Sequence, residues 1–180
     1  MTELQGSYDR IIGPIEEQMI RSIWRIVRNH QDAEDAMQDA LLAIWKCWDR
    51  VCGHPNPQAM VLKMCVDAAY DLIRRRFRGR RHNTLSALLI EPQDQSPTPS
   101  KSAEISEQYD ELMAAISHMP RRQATAILMR VIEGQSYRDI ASVLGCAEVT
   151  ARKHVARGRD RLQTALSRFI QFDTNAKTPS

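Results

Sequence analysis

Residues 136–162 constrain the fold most strongly, because their pattern predicts two helices joined by a tight turn. Ser136 followed by Asp139 is typical of a helix N-terminus, and Gly145 can adopt the left-handed conformation that ends a helix. The second helix begins near Glu148 and carries a row of cations: Arg152, Lys153, Arg157, Arg159 and Arg161. A helix-turn-helix of this kind places its second helix in a DNA major groove. We therefore expect DNA binding; a solvated basic helix in an ordinary helical domain is the alternative.

Charge is unevenly distributed along the chain, although the net charge is only +3. Residues 1–81 carry 13 cationic and 11 acidic side chains, and residues 82–118 carry one cation and six acids. Residues 119–168 carry ten cations and four acids. This basic, acidic, basic order fits two DNA-facing modules separated by a segment with a different role.

Apolar residues recur at helical spacing along most of the chain, and no segment has a convincing strand pattern. The first predicted helix covers Tyr8–Asn29, with Pro14 delaying or kinking its start. A second helix runs from an Asp32 N-cap to Trp48 and is followed by a loop over Asp49–Pro57. A third helix runs from Pro57 into the arginine run at 74–81. Further helices are predicted from Ile105 and from Pro120, the latter ending at Gly134. The expected fold class is all-α.

Residues 91–102 have three prolines and almost no apolar surface, so they cannot offset the entropy of ordering themselves. We therefore predict two small helical domains on a flexible acidic linker. The predicted boundaries are an N-terminal domain of three to four helices at 1–81, a linker at 82–104, a helix-turn-helix domain at 105–170 and a tail at 171–180.

Several classes of protein lack support in this sequence. No apolar run approaches a membrane span, and no secretory leader is visible, so the expected location is the cytoplasm. The four cysteines show no zinc-type spacing, and we expect them to act as small buried hydrophobes; a metal site at Cys47, Cys52 and His54 is a remote alternative. No nucleophile elbow, metalloprotease or phosphate-loop motif occurs. We predict a non-enzyme with no catalytic residues, metal or cofactor.

Two exposed faces are predicted on the N-terminal helices. Four residues on the second helix lie away from its apolar stripe: Asp35, Gln38, Asp39 and Leu42. On the third helix Lys63, Asp67, Tyr70 and Arg74 are spaced to line one exposed face that continues into the arginine run. Like charges at this spacing repel unless a polyanion is near, so phosphate contact is the preferred interpretation of the arginines over a solvated helix end.

Three segments together carry a resemblance to a known family. HQDAEDAMQDALLAIWKCW at 30–48 resembles the core-binding helix of bacterial sigma factors of the extracytoplasmic-function class. MVLKMCVDAAYDLIRRRFR at 60–78 is similar to the helix that follows it in that class, and residues 119–162 resemble its C-terminal promoter-reading domain. The resemblance implies a protein that binds core RNA polymerase and directs it to promoters.

The resemblance also implies residue roles. Core-polymerase binding falls to Asp35, Gln38, Asp39 and Leu42. Contact with the −10 element falls to Asn56, in the Asp49–Gln58 loop that captures a flipped base, and to Lys63, Asp67, Tyr70, Arg74, Arg75, Arg76 and Arg78. Contact with the −35 element falls to Ser136, Arg138, Glu148, Thr150, Arg152, Lys153, His154 and Arg157. The acidic linker corresponds to a segment that threads the polymerase cleft, and an anti-sigma protein is an expected partner.

The sequence departs from the family pattern at several positions. Met60 stands in place of a usual aromatic residue, and Asp67 in place of a usual Asn, so an unusual −10 preference is expected. Cys146 and Ala147 give the reading helix a weak N-cap, and Gly158 lowers its helix propensity. Two other functions remain open at this point: a dimeric, polymerase-independent helix-turn-helix regulator, and an adaptor that binds only protein.

Overall fold

The computed structural model describes the backbone of residues 2–86 and 101–175, and the side chains of residues 6–78 and 108–167. Within these ranges the chain is helical and contains no strand, which confirms the all-α prediction. The helices are α1 (Thr2–Ile11), α2 (Glu16–Val27), α3 (His30–Lys46), α4 (Trp48–Cys52), α5 (Pro57–Ser86), α6 (Lys101–Ser117), α7 (Arg121–Val131), α8 (Tyr137–Leu144) and α9 (Glu148–Asn175). None of those described is long and apolar enough to span a membrane.

The first predicted helix is interrupted, and the second has a different cap. A 3-10 turn at Gly13–Ile15, which contains Pro14, separates α1 from α2. Arg28 ends α2 in the left-handed region at φ 51°, and the extended Asn29 begins α3 at once. The Asn29 side chain accepts a hydrogen bond from the Asp32 backbone N–H at 3.0 Å, so the predicted Asp32 N-cap is wrong. Both residue types cap well, and the two-residue connection decides between them.

The loop predicted over Asp49–Pro57 is partly helical. Trp48 and Val51 are buried on α4, and this packing overrides the turn signals that follow it. The connection to α5 is thereby reduced to four residues, 53–56. Burial of an apolar pair commonly outweighs local propensity in a segment this short.

Helices also extend into both ends of the predicted linker. The α5 helix continues to Ser86, and α6 begins at Lys101. The α9 helix runs to Asn175, so the first five residues of the predicted tail are helical. Residues 87–100 and 176–180 lie outside the described part of the chain, and the predicted domain boundaries stay a prediction.

The N-terminal domain forms around the buried faces of α2, α3 and α5. Its buried apolar residues include Met19, Ile23, Ile26, Ala36, Ala40, Ile44, Leu62, Val66, Ala69 and Ile73. The C-terminal domain packs α6, α7 and α8 around the first half of α9. Its buried residues include Met113, Ile116, Ile127, Leu128, Ile140, Ala151 and Val155. The two cores form one continuous apolar cluster, because α5 packs against α6, α7 and α8.

The helix-turn-helix has the predicted local chemistry. Ser136 is the N-cap of α8, and its Oγ accepts the Asp139 backbone N–H at 3.1 Å. Gly145 ends α8 at φ 60°, a left-handed conformation in which a side chain would be strained. Ile140, Ala141 and Val143 are buried as predicted, and Leu144 is half-buried. The turn therefore fixes the angle at which α9 leaves α8.

Gly158 has a packing role that helix propensity alone does not predict. It is buried where α9 crosses α7, and a Cβ at this position would lie 3.0 Å from Ile127 Cβ. The Ile127 Cβ is attached directly to the α7 backbone, so it cannot rotate away. The two helices reach their short separation because residue 158 has no side chain.

We predict that Gly158→Ala lowers the free energy of unfolding by about 1 kcal/mol, because overpacking exceeds the gain in helix propensity. Urea denaturation of the full chain measures this. Gly6→Ala is the matched control: a Cβ there meets nothing within 4 Å, and stability should be unchanged or slightly raised. A Gly158→Ala variant as stable as the parent would refute the close-packing account.

Candidate nucleic-acid interface

The N-terminal half of α9 presents a basic surface to solvent. We define the reading face as Glu148, Thr150, Arg152, Lys153, His154 and Arg157. Arg152 donates to Glu148 Oε1 at 2.6 Å, and its guanidinium lies 4.3 Å from the centre of the Tyr137 ring on α8. These two contacts orient Arg152, whose side chain is still 57% exposed. Lys153 and Arg157 are exposed beside it.

His154 differs from the other members of the reading face. It is half-buried, and its Nδ1 is enclosed with no hydrogen-bond partner in the described part of the chain. Burial, reinforced by the nearby cations Arg122 and Arg157, lowers its pKa. The imidazole is therefore neutral near pH 7, and the predicted −35 contact at His154 would have to be made without a positive charge.

The N-terminus of α8 carries an ordered carboxylate. Ser136 Oγ donates to Asp139, and Asn56 Nδ2 from the preceding domain donates to Asp139 Oδ1 at 3.0 Å. Hydrogen bonds from Ser136 and then Asn56 hold the pKa of Asp139 below its usual range. Arg138, next to this cap, is exposed.

The second candidate DNA surface is on α5. We define the α5 face as Lys63, Asp67, Tyr70 and Arg74. The prediction that it is exposed is wrong: Tyr70 is 0% exposed and Asp67 is 8% exposed. Both lie beneath the C-terminal domain, where Tyr70 Oη donates to the Met119 carbonyl at 2.7 Å. A helical pattern identifies which residues share a face, but it cannot show that a second domain packs on that face.

The arginine run is partly neutralised within the chain. Arg75 donates to Asp39 at 2.9 Å, and Arg76 donates to Asp32 at 3.1 Å. Arg78 is exposed, and the side chains of residues 79–81 lie outside the described range. Repulsion among the arginines of α5 is relieved by the carboxylates that α3 presents to them, which periodicity within α5 does not reveal. Phosphate contact by these arginines stays a prediction.

The predicted base-capturing loop also contacts the C-terminal domain. Asn56 Oδ1 accepts the Ala59 backbone N–H at 3.0 Å, which caps the first turn of α5, while its Nδ2 binds Asp139. His54 Nδ1 contacts the Asn56 carbonyl at 2.8 Å, and Nε2 lies 3.5 Å from the Ser142 carbonyl on α8. The loop is therefore held at both a helix N-terminus and the domain boundary.

The candidate polymerase surface on α3 is accessible as predicted. We define the docking face as Asp35, Gln38, Asp39 and Leu42, all of which are exposed. An apolar groove of about 540 Å³ adjoins it between α2 and α3, lined in part by Ile20, Trp24, Ala33, Met37 and Gln38. Ile20 and Trp24 are 55% and 47% exposed. Neither residue is among the sequence-based candidates, although their i,i+4 spacing outside the apolar stripe of α2 is a readable signal.

Arg121 is a third residue that is absent from the sequence-based predictions. It borders a cleft of about 680 Å³ between α3, α5 and α7 that is also lined by Lys46, Arg50, Lys63, Arg74, Arg75 and Arg78. Arg121 NH1 donates to the two Asp71 carboxylate oxygens at 2.6 and 2.8 Å. Its position at the start of α7 gave no sign of a partner on α5, because the two residues are 50 positions apart.

The cysteines are not uniformly buried. Cys65 is buried, and burial, with the Glu133 carboxylate nearby, raises the pKa of its thiol to about 12. Cys47 and Cys146 are half-buried, whereas Cys52 is exposed, so the prediction of burial is wrong for Cys52. Within the described ranges, no three His, Cys, Asp or Glu side chains are grouped to hold a metal ion.

Both halves of the chain match models of one protein family. Residues 16–79 match "Sigma-70 region 2", and residues 109–162 match "Sigma-70, region 4". The two matches occur in the order and on the helices that the resemblance implied, and together they cover well over half of the chain. This chain belongs to the sigma-70 family, in its extracytoplasmic-function class. The docking face and the α5 face lie in region 2, and the reading face lies in region 4.

Curated sigma factors resemble this sigma factor at low identity. It is 27% identical over 178 residues to the probable RNA polymerase sigma factor RfaY of Xanthomonas campestris, covering 96% of this chain and 43% of that protein. It is 25% identical to the ECF RNA polymerase sigma factor SigE of Mycolicibacterium smegmatis, and this match covers 90% of this chain and 62% of that protein. It is 24% identical to the RNA polymerase sigma-H factor of Pseudomonas aeruginosa, and this match covers 92% of this chain and 89% of that protein. The chain thus spans less than two thirds of the first two relatives.

A solved structure supports the same fold. This sigma factor aligns with the sigma factor RpoE of Bartonella quintana, crystallised in complex with the anti-sigma factor NepR, with a TM-score of 0.52 and 25% identity. The alignment covers 89% of this chain and 96% of that one. The likeness extends over both helical domains.

We predict that Ser136→Ala lowers the free energy of unfolding by about 1 kcal/mol at pH 7, because it removes the cap of α8. The depressed pKa of Asp139 contributes stability that is present above about pH 4 and is lost as the pH falls further. The difference in unfolding free energy between the parent and the variant should therefore be smaller at pH 3. Urea titrations at both pH values measure it, with Ser167→Ala, an exposed hydroxyl bonded within its own helix, as control. A deficit that is equal at both pH values would contradict the role of Asp139.

Proposed function

We propose that this protein is a promoter-specificity factor that binds core RNA polymerase and directs transcription initiation at −10 and −35 elements. The observation that supports this best is that one chain carries an exposed acidic face on the region 2 helix and an exposed basic reading face on the region 4 helix. Sigma factors are not enzymes, and we assign recognition to this chain and RNA synthesis to the polymerase. Its site of action would be the cytoplasm.

Contact with the −35 element would be made through α9 in a major groove. Arg152 is the strongest candidate for a base contact, because Glu148 and the Tyr137 ring already orient its planar guanidinium, which can pair with guanine in two hydrogen bonds. Lys153 and Arg157 are exposed point charges suited to phosphates. Ser136 and Arg138 at the start of α8 would contact the adjoining backbone.

Contact with the −10 element would use the α5 face, the arginines that follow it and the loop around Asn56. This surface requires the C-terminal domain to move, because Tyr70, Asp67 and Asn56 are all engaged with that domain in the structure. The sequence predicts a linker over residues 82–104 between the two domains. Its acidic charge would suit the nucleic-acid path of the polymerase.

Core polymerase would bind the docking face and its adjoining groove. Leu42, Ile20 and Trp24 are unusually exposed for apolar residues. Burying them against a partner would be favourable, and the neighbouring carboxylates would favour a partner with a basic surface. An anti-sigma protein that covers the same surface would block polymerase, which makes such a protein the expected regulatory partner.

The alternative is a polymerase-independent regulator that binds a palindromic operator as a dimer. It accounts for region 4 but leaves the region 2 match over residues 16–79 and the exposed docking face without a role. The sigma interpretation uses both halves of the chain, so the regulator interpretation is not favoured.

Gln38→Ala combined with Asp39→Arg should weaken binding to purified core RNA polymerase at least tenfold, because it inverts charge at the centre of the docking face. Fluorescence anisotropy with labelled full-length protein measures the affinity. Asp160→Arg makes the same charge change on an exposed part of α9 and should leave the affinity unchanged. Unchanged affinity in the double variant would reject this docking face, and absence of any binding by the parent would reject the proposed function.

Arg152→Ala should relax sequence preference in the −35 element, with a loss of about 1–3 kcal/mol on the preferred sequence and little change on others. Selection of promoter DNA by the polymerase complex, followed by affinity measurement on the selected and scrambled elements, tests this. Arg159→Ala removes a cation farther along α9 and should weaken all sequences similarly. An equal loss on every sequence for Arg152→Ala would make it a phosphate contact.

A further inference from the structure

The exposed surface of α9 contains one large apolar side chain among charged ones. Val149, the second residue of the helix, is 60% exposed. Its neighbours Glu148, Arg152 and Lys153 are exposed as well, and all three are ionisable. The other large apolar side chains described on this helix are buried or half-buried. Val149 therefore differs from its surroundings in polarity and from the apolar residues of α9 in exposure.

Val149 lies on the side of α9 that faces away from the C-terminal core. A helix turns by about 100° per residue, so Val149 is opposite the buried Ala151 and Gly158. Lys153 and Ala156 continue the same outer line along the helix, and both are exposed. In a helix-turn-helix the N-terminal residues of the second helix reach the base edges of the major groove. Val149 is therefore placed where a base contact would be made.

The backbone that carries Val149 is fixed by the residues around it. The Ala147 carbonyl accepts the backbone N–H groups of Thr150 and Ala151 at 2.9 and 3.1 Å. Ala151 is itself fully buried, so the first turn of α9 is held against the core. Valine also has one strongly preferred χ1 rotamer in a helix. Its methyl groups are thus held in place before a partner arrives, and a contact with them costs little conformational entropy.

Neither the core nor helix propensity accounts for a valine at this position. The side chain is mostly in water, and alanine favours a helix more than a β-branched residue does. A single exposed valine is common on protein surfaces, as Val131 at the end of α7 illustrates with 65% exposure. What distinguishes Val149 is its place on the outer line of a basic helix that is suited to DNA.

The major groove offers an apolar side chain one kind of partner. All base edges there present hydrogen-bond donors or acceptors, and thymine alone adds an apolar group, its C5-methyl. Against the other bases, Val149 would displace water from polar atoms without replacing the hydrogen bonds that the water makes. Against thymine, methyl groups pack on one another and are removed from water together. Valine at this position therefore favours a T·A pair and disfavours the alternatives.

We propose that Val149 is a specificity-determining residue of this protein and that it contacts the C5-methyl group of a thymine in the −35 element. The inference rests on the proposed function for the identity of that element, and it adds a base preference to it. Arg152 and Val149 then recognise bases by different chemistry: hydrogen bonds select guanine, and an apolar contact selects thymine. Each contact can be removed without the other, so the two preferences can be measured separately.

Deoxyuridine in place of thymidine tests the contact directly, because it removes the methyl group and keeps the base pair. Duplexes are first selected from a random library, once by the polymerase complex and once by the full-length protein alone at low salt. Each thymine of the enriched element is then replaced singly, and the affinities are measured by fluorescence anisotropy. At one position the replacement should weaken binding by the parent about threefold to fourfold, as expected for one methyl group removed from water.

Three variants assign that loss to the valine. Val149→Ser removes both methyl groups and should bind the thymine and deoxyuridine duplexes with equal affinity. Val149→Ile keeps an apolar β-branched side chain and should retain the preference of the parent for thymine. Val131→Ala, at a similarly exposed valine outside α9, is the matched control and should also retain it. Circular dichroism shows whether each full-length variant keeps its helices.

The outcomes that would overturn the proposal are distinct. A parent that is insensitive to deoxyuridine at every position would do so, and so would an enriched element without thymine. A Val149→Ser variant that discriminates as the parent does would also overturn it, as would failure of both selections to enrich a sequence. If core polymerase does not bind the protein, the proposed function fails, and the duplexes selected by the protein alone still decide the role of Val149.

Discussion

The packing of α7 across α5 is the interaction on which the rest of this structure depends. It buries Tyr70 completely, joins two small hydrophobic cores into one, and brings Asp67, Asp71, Arg121 and Thr125 together. Small helical domains bury a limited fraction of their surface, so covering the α5 face with region 4 is favourable in the absence of a partner. The same burial covers Tyr70 and Asp67, so contact of DNA with either residue would require the two domains to separate.

Intramolecular charge pairing accounts for the surface that remains. The helix α3 supplies carboxylates to the arginines of α5, and α5 in turn supplies carboxylates to Arg121 on α7. Cations that would bind phosphate are thus partly occupied within the chain, whereas those on the first half of α9 stay exposed, with Arg152 merely oriented by Glu148. The cations of α5 and those of α9 therefore differ in how far they are paired within the chain. The difference follows from which basic side chains lie opposite carboxylates after folding.

Much of this could be predicted from the sequence, since the decisive signals are local. The cap at Ser136, the left-handed Gly145 and the start of α5 at Pro57 depend on a few adjacent residues, and each is found as expected. The failures involve residues far apart in sequence. Periodicity places Tyr70 on a shared face but does not reveal Met119 above it. Helix propensity alone makes Gly158 unfavourable, although the close approach of Ile127 requires a residue without a side chain there. The sequence does not reveal the contacts of Asp67 with α7, because its partners there are 54 and 58 positions away.

The most direct test of the account is transcription in vitro by purified core RNA polymerase on a library of upstream DNA, with and without this protein. The account predicts start sites that appear only when the protein is present and that share two upstream elements about one and a half to two helical turns of DNA apart. Absence of polymerase binding, together with tight binding of the protein alone to palindromic DNA as a dimer, would contradict it.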